Sequence, residues 1–216
     1  MVSFPRCCPL STPALGFAAA RVAVEDASPN LSVLLSALRH FTSTYLKTKD
    51  VHSLSASYDT SVRKDILMAY FAALATIEHR LESSEVLRPP PSALLTAAAN
   101  SKASVYALFG GQGTNEVYFD ELQLLYDIYK PYVAPLILTA RDVLVPLASK
   151  ANADGFSFFS YSLDILAWLD GSAPRPSIEY LASILISFPL IGLTQLAQYL
   201  VSMRVALLLV VREQPH

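Results

Sequence analysis

Apolar residues recur at Leu34, Leu35, Leu38 and Phe41, the spacing of one helix face, and Asn30 stands where a cap would start that helix toward Lys47. The polar stretch from Lys47 to Thr60 reads as a loop. A second periodic run, with Ile66, Tyr70, Ala73 and Ile77 in register, predicts a helix from about Ser61 to Glu82. His79 and Arg80 near its end complement the negative end of the helix dipole. Pro89-Pro90-Pro91 then forces an extended connector, which divides the chain into a first region, 1–91, and a second that opens with a short helix from Ser92 to Ala99.

The second region changes pattern. Ala103 to Phe109 reads as a short strand and Gly110 to Gly113 as a turn. Phe119 to Tyr129 follows as a helix with Leu122, Leu125 and Tyr129 on one face. Pro131 and Pro135 interrupt it, and helix resumes from about Leu136 to Lys150. Ser162 to Trp168 predicts another helix, closed by Asp170-Gly171. Pro174 and Pro176 mark a loop, and Tyr180 to Ile186 suits a strand or a helix. Pro189 to Val211 is long enough to span a bilayer, but Thr194, Gln198 and Ser202 line one side and Leu193, Leu196, Leu200 and Val201 the other, which describes an amphipathic core helix. Strand, turn and helices together predict a helix-rich α/β fold.

Composition narrows the function classes. Of 216 residues, 53% are hydrophobic and 16% charged, enough apolar surface for a core and for some face that expects a partner. The net charge of -2, without a basic stripe, argues against nucleic acid as a ligand, and no membrane anchor is expected. Cys7 and Cys8 are adjacent, so they neither staple the fold nor form a zinc pair; reduced thiols in the cytoplasm, and no metal, are expected. Pro5, Pro9 and Pro13 break the apolar run near the start and oppose a signal peptide.

The chemistry-bearing segment is Leu108-Phe-Gly-Gly-Gln-Gly-Thr-Asn-Glu116, glycines between a strand and a helix. It fails as a dinucleotide fingerprint, because Glu116 stands at the third glycine position. It fails as a P-loop for want of Lys-Ser/Thr. An oxyanion-stabilising turn remains, with exposed main-chain amides. The run from Ala107 to Gln123, together with Leu166-Ala-Trp-Leu-Asp-Gly-Ser-Ala-Pro-Arg-Pro176, Tyr180-Leu-Ala-Ser183 and Ser187 to Leu200, resembles the start of the acetyl (starter) acyltransferase domain of fungal-type fatty acid synthase β subunits. The resemblance covers about 100–206 and is weak before it.

That resemblance implies an incomplete acyltransferase domain over 92–206, ferredoxin-like plus α/β-hydrolase-like, behind a non-catalytic region over 1–91, with a divergent tail over 207–216. It implies that Gln112, flanked by Gly111 and Gly113, supplies an oxyanion-hole amide, and that Thr194 and Gln195 lie near the acyl pocket. The substrate implied is acetyl-CoA, with no bound cofactor. The partners implied are the acyl carrier protein and the synthase α and β subunits. The family's G-H-S-x-G serine elbow does not occur in these 216 residues, and His40, His52, His79 and His216 match no family base. The tail after Ala206 departs from the family and reads as an altered or truncated gene product. The expectation is therefore a fragment that is inactive alone and prone to self-association. The alternatives are a non-enzymatic interaction module of the synthase, and a hydrolase using Ser157, Ser160 or Ser162.

Overall fold

The computed structural model describes residues 31–46, 51–80, 97–98, 100–104, 106, 117–156 and 158–209. They fall into two compact units, one within Met1–Arg88 and the other within Pro89–Val211. All regular structure among the described residues is helical.

In the first unit α1 (Leu31–Phe41) runs into a π-helical turn (Thr42–Leu46). A short α2 (Val51–Ser55) and the long α3 (Thr60–Arg80) follow. The polar stretch read as a loop thus contains α2, too short to show a period. Its Val51 is buried, its Ser55 is fully buried, and the Ser55 hydroxyl donates to the His52 carbonyl at 3.1 Å. Helix α3 starts where the Asp59 carbonyl accepts the Arg63 N–H at 2.8 Å. Its buried residues are Leu67, Phe71, Ala73, Leu74 and Ile77. Of the face read from sequence, Ala73 and Ile77 are buried, whereas Ile66 and Tyr70 are only half-buried. The face is turned because α1 and α2 both pack on α3 and together cover a broader arc than one stripe. Leu34, Leu38 and Phe41 of α1 close this core, and an edge-on contact of Tyr70 and Phe71, with ring centroids 5.2 Å apart, braces it.

The second unit is built on α4 (Tyr118–Ala153) and α7 (Ile184–Leu209), with α5 (Ile165–Asp170) and α6 (Ile178–Ala182) between them in sequence. Of the strand expected over 103–109, Ala103, Ser104 and Tyr106 belong to no regular element, and the rest lies outside the described residues. The described residues contain no strand, and the Ala103 N–H donates back to the Ala97 carbonyl at 3.2 Å. Helix α4 passes through Pro131, Pro135 and Pro146 and absorbs the loss at Tyr129, whose φ of -112° and ψ of 30° kink it two residues before Pro131. Its buried stripe, Phe119, Leu122, Tyr126, Tyr129, Val133 and Ile137, continues across the kink, so packing holds a helix that local sequence would break.

Helix α7 begins at Ile184, five residues before the proline that marked its start in the sequence. Ser183 makes the break: its backbone is extended, its hydroxyl donates to the Tyr180 carbonyl at 2.7 Å, and its carbonyl accepts the Ser187 N–H at 2.8 Å. The same few residues settle the 180–186 ambiguity as the end of α6 and the start of α7. The buried stripe of α7 is Ile186, Leu190, Leu193, Thr194, Ala197 and Val201. Thr194 therefore belongs to the core, and Leu196, expected inside, is exposed. Helices α4 and α7 are each long and apolar enough to cross a membrane by length and composition.

Candidate functional site

The first turn of α4 is tied to both α6 and α7. The Tyr118 hydroxyl donates to the Leu181 carbonyl of α6 at 2.8 Å. The Tyr118 carbonyl lies 3.4 Å from the Thr194 hydroxyl of α7, which makes its shorter bond, 2.8 Å, to the Leu190 carbonyl. Glu121 accepts from the Gln198 amide at 3.2 Å. These contacts, with Arg204 over the Tyr132 ring at 5.8 Å, ascend together along both helices, so α4 and α7 run in the same direction. Burial pushes the Tyr118 phenol above the ordinary tyrosine range, and Arg175 partly offsets this.

Helix α5 is placed by its caps. Asp164 accepts the Ala167 N–H at 3.2 Å and lies 3.5 Å from the Arg141 guanidinium of α4. At the other end Gly171, with φ 81°, turns the chain through the left-handed region, and Ala173 donates back to the Ala167 carbonyl at 2.9 Å. Asp170 accepts from the Ser172 N–H at 2.9 Å and from its hydroxyl, which holds the carboxyl below its usual range. The Gln123 amide spans from α4 to the Leu169 carbonyl at 2.9 Å. Trp168 packs 6.3 Å from Phe119 and edge-on at 6.3 Å to Tyr180, whose phenol burial pushes up.

Gly111, Gln112 and Gly113 lie outside the described residues. The described chain resumes at Val117, which leads straight into the tied turn. Thr194 is buried at 2% exposure, and both its contacts are main-chain carbonyls. Its neighbour Gln195 is half-buried on α7. Among the serines weighed as nucleophiles, Ser160 and Ser162 are exposed, Ser162 has a left-handed φ of 61°, and Ser157 lies outside the described residues. His40, His52 and His79 all fall in the first unit, and the described residues of the second unit contain no histidine. No group of three or more His, Cys, Asp or Glu side chains gathers among the described residues. Sequence reasoning missed the Asp120–Arg175 pair, whose ends are far apart in the chain and carry no local signal.

Comparison with known proteins accounts for both halves of the chain. The family described as the N-terminal domain in fatty acid synthase subunit beta matches residues 9–77, the part whose resemblance looked weak. Fatty acid synthase 2 of Mycosarcoma maydis is 41% identical over 175 residues, 80% of this chain and 5% of that protein. The fatty acid synthase beta subunit TOXC of Cochliobolus carbonum is 37% identical over 169 residues, 77% of this chain and 8% of that protein. The fatty acid synthase subunit beta of Saccharomyces cerevisiae is 33% identical over 194 residues, 87% of this chain and 9% of that protein. The chain thus spans less than a tenth of the length of these relatives. The chain belongs to the fungal fatty acid synthase β-subunit family, whose amino-terminal domain it contains.

Proposed function

We propose that this chain serves fatty acid biosynthesis as the amino-terminal region of a synthase β subunit, with residues 92–206 forming the first part of its acetyl-CoA or starter-unit acyltransferase domain. The observation that carries the reading is the extent of the match. A relative aligned over 87% of the chain reaches far beyond residues 9–77 and into the second half, where the glycine turn stands. In this reading the region over 1–91 packs the assembly, and the region over 92–206 supplies the Gln112 amide. Gly111 and Gly113 give that amide a close approach to the acyl group.

The chemistry follows from acyl transfer. Attack on an acetyl thioester places negative charge on the carbonyl oxygen, and a main-chain N–H aimed at that oxygen stabilises the transition state more than the substrate. Thr194 and Gln195 lie on α7 toward the acyl pocket in this reading, Thr194 as part of its supporting wall. Transfer proceeds to the acyl carrier protein, within an assembly of α and β subunits in the cytoplasm. The nucleophile is not among these 216 residues, so the isolated chain acts as scaffold, not catalyst.

Two measurements test this. In a β-subunit polypeptide carrying this region and its continuation, Gln112→Pro removes the N–H and is expected to slow acetyl loading about 10²–10³-fold. Gln112→Ala keeps the N–H and costs far less. Equal effects of the two substitutions would refute the main-chain role. The isolated chain is expected to take up no labelled acetyl from acetyl-CoA, and stoichiometric serine-linked labelling would overturn the reading.

A further inference from the structure

Asp120 and Arg175 are separated by 55 residues of sequence, yet the guanidinium Nη1 lies 2.6 Å from the Asp120 Oδ1. The same guanidinium sits 4.9 Å from the centroid of the Phe119 ring. Phe119 is 1% exposed and packs against Trp168. An exposed ion pair alone is a weak tie, because water solvates both charges. This one differs in that the cation also lies over the ring of a core residue, where cation–π attraction adds to the ion pair. Pro174 and Pro176 flank Arg175, fix the backbone on either side and restrict Arg175 itself to extended conformations. The backbone that carries the arginine is therefore already restricted, and the ordering left to do is that of the side chain.

The other ties on this turn come from helices: Leu181 of α6 and Thr194 and Gln198 of α7. Arg175 is the tie that comes from the loop. Val117, at the head of α4, supplies no side-chain cap. We propose that Arg175 is a positioning residue: it pins the first turn of α4, which follows the glycine segment in sequence. The inference rests on the reading of Gln112 as the oxyanion amide for its catalytic meaning, and on the Asp120, Phe119 and Arg175 geometry for its physical basis.

Hydrogen exchange of the 216-residue chain, resolved by peptide, tests the physical part. Arg175→Ala is expected to speed exchange about three- to tenfold across residues 118–125 and to leave residues 186–201 of α7 unchanged. Arg175→Lys keeps the charge but replaces the guanidinium over the Phe119 ring, so its exchange falls between that of the parent and that of Arg175→Ala. No change over 118–125, or equal acceleration over the whole of 118–209, overturns the proposal. If Arg175→Ala does not fold, Arg175→Lys carries the same test with the same outcomes. In a longer β-subunit polypeptide, Arg175→Ala is expected to lower the rate constant for acetyl loading about ten- to a hundredfold with the KM for acetyl-CoA unchanged. Unchanged loading beside altered exchange overturns the positioning role. Failure of the unsubstituted longer polypeptide to load acetyl overturns the acyltransferase reading instead, and leaves the exchange result to decide the anchor.

Discussion

Replacing Tyr118 with phenylalanine isolates one hydrogen bond at the centre of the second unit. Tyr118 is 5% exposed, and its hydroxyl donates to the carbonyl of Leu181 at 2.8 Å. Leu181 stands in the last turn of α6, where carbonyls lack helical partners, so the phenol caps that helix from 63 residues away. Tyr118→Phe keeps the ring and its packing. It loses the bond and strands a buried acceptor, and the expected cost is about 1–3 kcal/mol. Unfolding in urea, followed by the fluorescence of Trp168, reads this directly, because Trp168 is the one tryptophan of the chain and lies in the same unit.

The variant also carries a pH signature. Burial raises the Tyr118 pKa above its ordinary value of 10.0 in the folded state. Above pH 10 the unfolded chain therefore releases a proton that the folded chain retains, and stability falls as pH rises. The slope for one such group is at most about 1.4 kcal/mol per pH unit. Below pH 10 both states hold the proton and the contribution is constant. Tyr118→Phe should remove this alkaline slope and leave any others. A variant as stable as the parent at pH 7, with the alkaline slope intact, would refute the assignment of a buried, bonded phenol.

Ile77→Ala, at a fully buried site of α3, is expected to cost about 2–5 kcal/mol, read as a lowered midpoint of urea unfolding by circular dichroism. Two glycine substitutions should move stability in opposite directions. Gly171→Ala places a side chain at φ 81°, where nothing lies within 4 Å but the backbone is strained, and should lose about 1–2 kcal/mol. Gly192→Ala, inside α7 with equally open space, should gain about 0.5–1 kcal/mol. Thermal unfolding of the pair checks both signs, and a shared sign would show that side-chain space, not backbone conformation, governs these positions.

Local chemistry made much of the chain legible. The span of α3, the left-handed close of α5 at Gly171, and the loop carrying Pro174 and Pro176 each follow from residues within one or two turns of the feature. The family was legible for a similar reason, since runs such as Leu166 to Pro176 are specific without reference to anything distant. The buried face of α7 was legible only in part: Leu193 and Val201 of the expected apolar side are buried, but the approach of Tyr118 and the rest of α4 turns Thr194 inward and leaves Leu196 outward. The continuity of α4 was likewise decided in three dimensions. Interior prolines cost about 3 kcal/mol each in an isolated helix, and a stripe buried on both sides of the Tyr129 kink offsets them. The pairing of Asp120 with Arg175 had no sequence signal at all, because only the folded chain brings the Pro174–Pro176 loop to the start of α4.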